Sequence, residues 1–161
     1  MMFKLRGSQS RSTLLVLLSI LFLSSTLEAV ADEWLITPEE AKMQVRNGNY
    51  AIPVTATEGP GPVIVLKNPK MLQRLTSPID IFIAFEPGMS GKPADMKSLK
   101  VTLIGFININ ITDRLIEYIN GTSLDVEEAN LPSGEHRLRM RIEDVDGNPN
   151  ERDVVVTVMQ K

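Results

Sequence analysis

The sequence predicts an all-β fold, a two-sheet sandwich with a short N-terminal helix behind a cleaved signal peptide. Three observations predict it. His136, Leu138, Met140 and Ile142 alternate with Arg137, Arg139, Arg141 and Glu143, the period of two that a half-buried strand requires. The turn cluster Asp146-Gly147-Asn148-Pro149 breaks that run, and Val154, Val156 and Val158 alternate back as the second arm of a long hairpin. Further alternating runs upstream bring the total to about seven strands in roughly one hundred residues, which suits two sheets joined by Greek-key links.

Residues 1–31 read as an export signal. Lys4, Arg6 and Arg11 form a basic start, residues 14–23 an apolar core, and Ala29-Val30-Ala31 a small-residue cleavage site before Asp32. The apolar run is about ten residues, half of the roughly twenty that span a bilayer, so no stable membrane anchor is expected after cleavage between Ala31 and Asp32. The expected address is the periplasm or the exterior. The chain has a net charge of −3 at pH 7 and no cysteine. A mildly acidic chain offers no electrostatic footprint for nucleic acid. The absence of thiols excludes cysteine catalysis, thiolate metal sites and disulfides, so burial and strand pairing must hold the fold.

Each element has its own signal. In residues 32–61, Thr37-Pro38-Glu39-Glu40 reads as a capping box, with a hydroxyl cap, proline at the first helical position and a glutamate three residues after the cap. Ala41 and Val45 continue that helix and Asn47-Gly48 stops it, while Trp34, Leu35 and Ile36 pin it either to the sandwich or to a partner. Pro53, Pro60, Pro62 and Pro69 mark an extended stretch that can pair only at a sheet margin, with residues 62–66 as its strand. The sandwich proper is expected over residues 62–161. Ile79, Ile81, Ile83 and Phe85 alternate as a strand that Pro87-Gly88 ends. Residues 90–97 read as a polar loop, then Leu99, Val101 and Leu103 as a strand, and Ile107, Ile109 and Ile111 as another. Residues 113–119 fit a helical turn or a strand, Asn120-Gly121 closes that segment, and Leu124 and Val126 mark a short strand.

At Leu131-Pro132-Ser133-Gly134-Glu135-His136 the chain resembles exported bacterial immunoglobulin-like and fibronectin-III-like modules. Their penultimate strand opens on a Leu-Pro-x-Gly-x-Tyr corner and ends in Asp-x-x-Gly-Asn, as Asp144-Val145-Asp146-Gly147-Asn148 does here. The resemblance covers roughly residues 62–160 and implies fold rather than activity. His136 stands where those modules carry tyrosine. A fainter resemblance, over residues 78–88 and 131–147, is to periplasmic copper-resistance carriers. Their histidines at the mature N-terminus and near the last hairpin have no counterpart here, where the mature chain would begin Asp32-Glu33-Trp34.

The candidate sites are few. Arg137, Arg139 and Arg141 form a stripe that could hold an anionic partner through guanidinium forks, or could pair across the hairpin with Asp153. His136, the one histidine, reads as a corner residue with a satisfied ring rather than a metal ligand or triad member. Asp144, Asp146, Asn148 and Asn150 could gather oxygens for calcium, or serve turn chemistry; the glycine comes too early for an EF-hand and no glutamate closes the frame. Asp113, Arg114 and Glu117 sit in an irregular segment of the kind that carries binding function. Met71, Met89 and Met96 are too irregularly spaced for a soft-metal site, and Asn110-Ile111-Thr112 and Asn120-Gly121-Thr122 match the N-glycosylation pattern. No cofactor or metal is expected. The function expected is a non-enzymatic exported module that recognises a protein or glycan partner or gives structural support. The alternative is a periplasmic small-ligand or metal carrier.

Overall fold

A computed structural model describes residues 34–45, 59–70 and 73–160, all within the unit Asp32–Lys161. The segment expected as an export signal, the Asn47-Gly48 stop, Pro53 and Met71 lie outside the described residues. The chain runs α1 (Pro38–Val45), β1 (Val63–Asn68), β2 (Arg74–Leu75), β3 (Ile79–Glu86), β4 (Ala94–Leu103), β5 (Ile109–Asn110), two 3₁₀ turns (Thr112–Arg114 and Ile116–Tyr118), β6 (Ile119–Asn120), β7 (Ser123–Ala129), β8 (Gly134–Asp144) and β9 (Pro149–Val158).

Alternation builds the two sheets. β3 buries Ile79, Ile81, Ile83 and Phe85, β4 buries Leu99, Val101 and Leu103, and β8 buries His136, Leu138, Met140 and Ile142. Each fully buried Ile or Phe side chain stabilises by about 1.5–3 kcal/mol, so these faces can close only on one another. One sheet has the order β1-β3-β7-β6 and the other β2-β9-β8-β4-β5. The β3–β4 and β7–β8 connections cross between the sheets. β2 pairs in parallel with β9, while the other ladders are antiparallel. β8 and β9 pair unbroken from Gly134↔Val158 to Glu143↔Pro149, as the long hairpin reading requires. β1 lies at a sheet margin, where its flanking prolines confine it.

The described residues hold nine strands rather than about seven, because β2 and β6 are two-residue pieces below the reach of a periodicity argument. The polar loop expected over residues 90–97 is shorter. β4 already starts at Ala94 and carries a bulge between Asp95 and Lys100, where the Ser98 hydroxyl accepts a hydrogen bond from Glu143 N–H at 2.8 Å. The strand expected through Ile107, Ile109 and Ile111 is also cut back. β5 pairs only with Thr102 and Leu103, Ile107 is exposed, and the Asn110 side chain accepts from Thr112 N–H and Oγ1, which starts the first 3₁₀ turn. The ambiguous residues 113–119 resolve into the two 3₁₀ turns and the start of β6, with Leu115 buried between the turns. Gly121 alone supplies the positive φ, 58°, of the β6–β7 turn.

α1 is part of this body. Thr37 Oγ1 accepts from Glu40 N–H at 3.2 Å and Glu40 accepts from Thr37 N–H at 2.9 Å, a complete capping box. Leu35, Ile36 and Ala41 are buried in the same cluster as the strands, so the choice between sandwich and partner falls to the sandwich. At another margin, residues 59–62 form a clasp. Gly59 N–H donates to Asn150 Oδ1, Gly61 N–H to the Pro149 carbonyl, and Ser90 N–H to the Pro60 carbonyl. A Cβ on Gly88 would lie 1.8 Å from the Gly61 carbonyl oxygen. Gly88→Ala is therefore expected to cost about 1–3 kcal/mol in urea unfolding, whereas neighbouring exposed Met89→Ala stays within about 0.5 kcal/mol.

Candidate recognition surfaces

β8 presents Arg137, Arg139 and Arg141 on its outward face, each opposite a β9 residue: Val155, Asp153 and Glu151. Arg139 donates from Nε and Nη2 to the two Asp153 oxygens at 2.8 and 3.0 Å, and Glu151 lies 3.3 Å from the same Nε. Asp153 has no exposed side-chain surface, and its bonds push the Arg139 guanidinium pKa up. Arg139 thus forms the cross-strand fork that the hairpin register offers. Arg141 pairs with Glu143 at 2.9 Å while half exposed, and Arg137 is also engaged. Lys100 stands opposite Arg141, a like-charge pair that Glu143 offsets.

His136 is buried at the corner that opens β8. Its Nε2–H donates to the Pro132 carbonyl at 2.7 Å, and Nδ1 lies 2.9 Å from Gln44 Oε1 of α1. Gln44 in turn donates from Nε2 to the Ile104 carbonyl at 2.9 Å. Burial pushes the imidazole pKa down from 6.5, against the pull of the Pro132 carbonyl and the Glu135 charge.

The residues 144–150 turn is spent on itself. Asp144 Oδ1 accepts from Asp146 N–H, Asn148 N–H and the Asn148 amide, whose nitrogen also reaches Oδ2. Burial raises the Asp144 carboxyl, but hydrogen bonds from Ser90, Asn148 and Asp146 outweigh it and hold the pKa at about 2. Asp146 faces Lys92 at 3.2 Å and Asn150 donates to the Pro62 carbonyl. Turn chemistry takes both Asp144 oxygens, while the Asp146 carboxylate faces Lys92 outside the turn. Among the described residues no three His, Cys, Asp or Glu side chains are gathered as a metal site.

Arg114, from the irregular segment, forks onto Glu40 at 2.7 and 2.8 Å and also donates to the Leu35 carbonyl. Its hydrogen bonds lower the Glu40 carboxyl to about 2. Met89 is exposed and Met96 packs on the core. No helix among the described residues is long and apolar enough to cross a membrane.

The feature missed in the sequence is the β4–β5 tip. Phe106 is 70 % exposed and Ile107 57 % exposed, on a stem fixed by Ile104 N–H to the Arg137 carbonyl and by Gln44 to the Ile104 carbonyl. Its signal was Gly105 followed by two large apolar residues, which the alternation of Ile107 with Ile109 and Ile111 masked. No family model matches the chain, nor does any characterised protein or solved structure.

Two pH effects follow from these sites. The Glu40 contribution is present above pH 4.5 and is lost as pH falls toward about 2, because the folded carboxyl binds its proton later than the unfolded one. Glu40→Gln is expected to cost about 1–2 kcal/mol at neutral pH, solvent at Arg114 screening the pair, and to flatten that part of an acid-unfolding curve. His136 acts in a higher window. Its folded pKa lies below 6.5, so the unfolded chain takes the proton first and stability falls as pH drops through that value. His136→Phe is expected to abolish this slope in denaturant titrations, while costing about 1–3 kcal/mol for the oxygens it leaves unpaired.

Proposed function

We propose that the chain is an exported, non-enzymatic, immunoglobulin-like module that recognises a protein or glycan partner through loops at one end of its sandwich. The strand order supports the immunoglobulin-like reading. β1-β3-β7-β6 over β9-β8-β4 follows the A-B-E-D over G-F-C arrangement of that fold. His136 at the start of β8 bonds back to the Pro132 carbonyl four residues upstream, the place and task of a tyrosine corner. The basic, apolar and small-residue pattern of residues 1–31 supports export.

The single observation that carries recognition is the exposed Phe106-Ile107 pair on a fixed stem. Large apolar side chains held out by a rigid frame favour burial against a partner, and loops on sandwiches are suited to present them. α1 also exposes Met43, next to Gln44, and the Gln44 Cγ would lie 3.3 Å from a Cβ on Gly105. The carrier alternative has one observation in its favour, a groove of about 250 Å³ lined by Leu66, Leu75, Val155 and Val156 with Lys70 and Arg137 beside them. That volume falls below the roughly 300–1,000 Å³ of ordinary ligand pockets, so partner recognition stands first.

The test is mild crosslinking of the native protein in its own cells, comparing wild type with the double variant Phe106→Ser/Ile107→Ser. A saturable crosslinked partner lost in the variant, with melting unchanged within about 0.5 kcal/mol of stability, is the expected result. A partner captured equally by both proteins removes the tip from the reading.

A further inference from the structure

The outer edge of β7 is open between two stops. β6 pairs only with Ser123 and Leu124, and at the other end Trp34 bridges Asn130, with Leu35 N–H donating to the Asn130 carbonyl at 3.1 Å. Between them, residues 125–129 have no ladder partner on that side among the described residues. At about 3.3 Å per residue the gap is roughly 16 Å long.

A groove of about 300 Å³ runs beside this gap, lined by Glu117, Tyr118, Ile119, Asn120, Asp125 and Glu127. It shares Tyr118 and Glu127 with a smaller hollow of about 50 Å³ that reaches Trp34 and Glu128. β7 turns Leu124 and Val126 into the core, so Asp125 and Glu127, two residues apart, project together from the other face. Neither they nor Glu117 form an ion pair among the described residues, although Arg114, Arg139 and Arg141 are all paired.

We propose that this edge takes an extended segment of a partner protein, added to β7 as a strand and carrying lysine or arginine at alternate positions. Backbone groups of residues 125–127 supply the ladder, and the carboxylates select the side chains. Beyond them β7 bulges: the β3 register slips by one residue, and Glu128 takes φ 51° with its N–H on Asp80 Oδ1. The added strand therefore pairs along residues 125–127, and the Trp34 hollow, which Arg114 also lines, lies beyond its end. A second copy offering the same edge would set Asp125 and Glu127 against their own kind, which disfavours self-pairing and leaves a basic strand as the complementary occupant. These residues are distinct from the Phe106 tip, so this site and the loop reading can fail separately.

The experiment is a fluorescence-anisotropy titration of the protein at low salt with a labelled peptide alternating valine and lysine. Three comparisons accompany it: the same peptide with glutamate for lysine, the same peptide N-methylated at alternate residues, and the protein variant Asp125→Asn/Glu127→Gln. Saturable binding that weakens about tenfold or more in the variant, and is lost with either altered peptide, is expected; Phe106→Ser/Ile107→Ser should leave it intact. Equal binding of the N-methylated peptide would reduce the contact to charge alone and overturn strand addition. Equal binding by the Asp125→Asn/Glu127→Gln variant, or no saturable binding at all, would overturn the site. So would concentration-dependent self-association that the peptide cannot compete away, which would make another copy the occupant.

Discussion

One apolar layer shared by the two sheets supports everything else in this protein. There is no cysteine to staple β3 to β8, so the facing rows of isoleucine, leucine, valine and methionine must supply the cohesion by burial alone. The layer tolerates little disorder at its margins, because an open margin would admit water to it. Both ends are accordingly sealed with hydrogen bonds. Leu35, Ile36 and Ala41 enter the layer from the N-terminal segment, and Arg114 fastens that segment by bonding Glu40 and the Leu35 carbonyl together. The exposed surfaces inherit their rigidity from this arrangement: the Phe106 tip is held by Gln44 of the very helix that closes the layer.

The seam between β1 and β9 shows how a sandwich is closed where strands do not ladder. Asn150 donates to the Pro62 carbonyl and Arg152 to the Ile64 carbonyl, so β9 side chains satisfy β1 acceptors that a neighbouring strand would otherwise take. The glycines at 59, 61 and 88 let backbones meet at that margin too closely for any Cβ. Among the described residues no buried side-chain nitrogen or oxygen lacks a partner, including His136, Asp144 and Asp153. These three buried polar groups have the same kind of role. Each fixes one junction: the corner into β8, the β8–β9 turn and the outward pairing of the same two strands.

Much of the fold was legible because its strands are amphipathic. β3, β8 and β9 each bury one face, and a period of two records that directly in residue type. The capping box was legible for a similar reason, since it is local chemistry within four residues. What escaped was set at a distance. Asn110 ends a strand by bonding Thr112, although Ile107, Ile109 and Ile111 keep the alternation going on paper. Of the candidate sites, the Arg139–Asp153 pairing could be read from hairpin register, and the corner role of His136 from its motif. The Gln44 contact to His136 spans ninety-two positions and joins a helix to a strand, so no spacing rule points to it. The exposed Phe106 could not be told from a core residue by type alone, because exposure is a property of the packed state.

The margins of the sheets differ in a way that decides where contacts with other molecules are possible. β4 is covered: its Val101 N–H is taken by Thr112 Oγ1 and its Val101 carbonyl by Ile111 N–H, and the bulge from Asp95 to Lys100 breaks the ladder geometry farther along. The β1–β9 side is tied by side chains. β7 keeps a stretch, residues 125–127, that no strand covers on its outer side among the described residues, and that stretch carries carboxylates that form no ion pair there. Charge on an edge normally serves to discourage pairing, and here it does so against neutral or acidic strands. The same charge cannot discourage a basic one. An edge defended by a single sign is closed to most partners and open to its complement, which is how a device against aggregation becomes a means of selection.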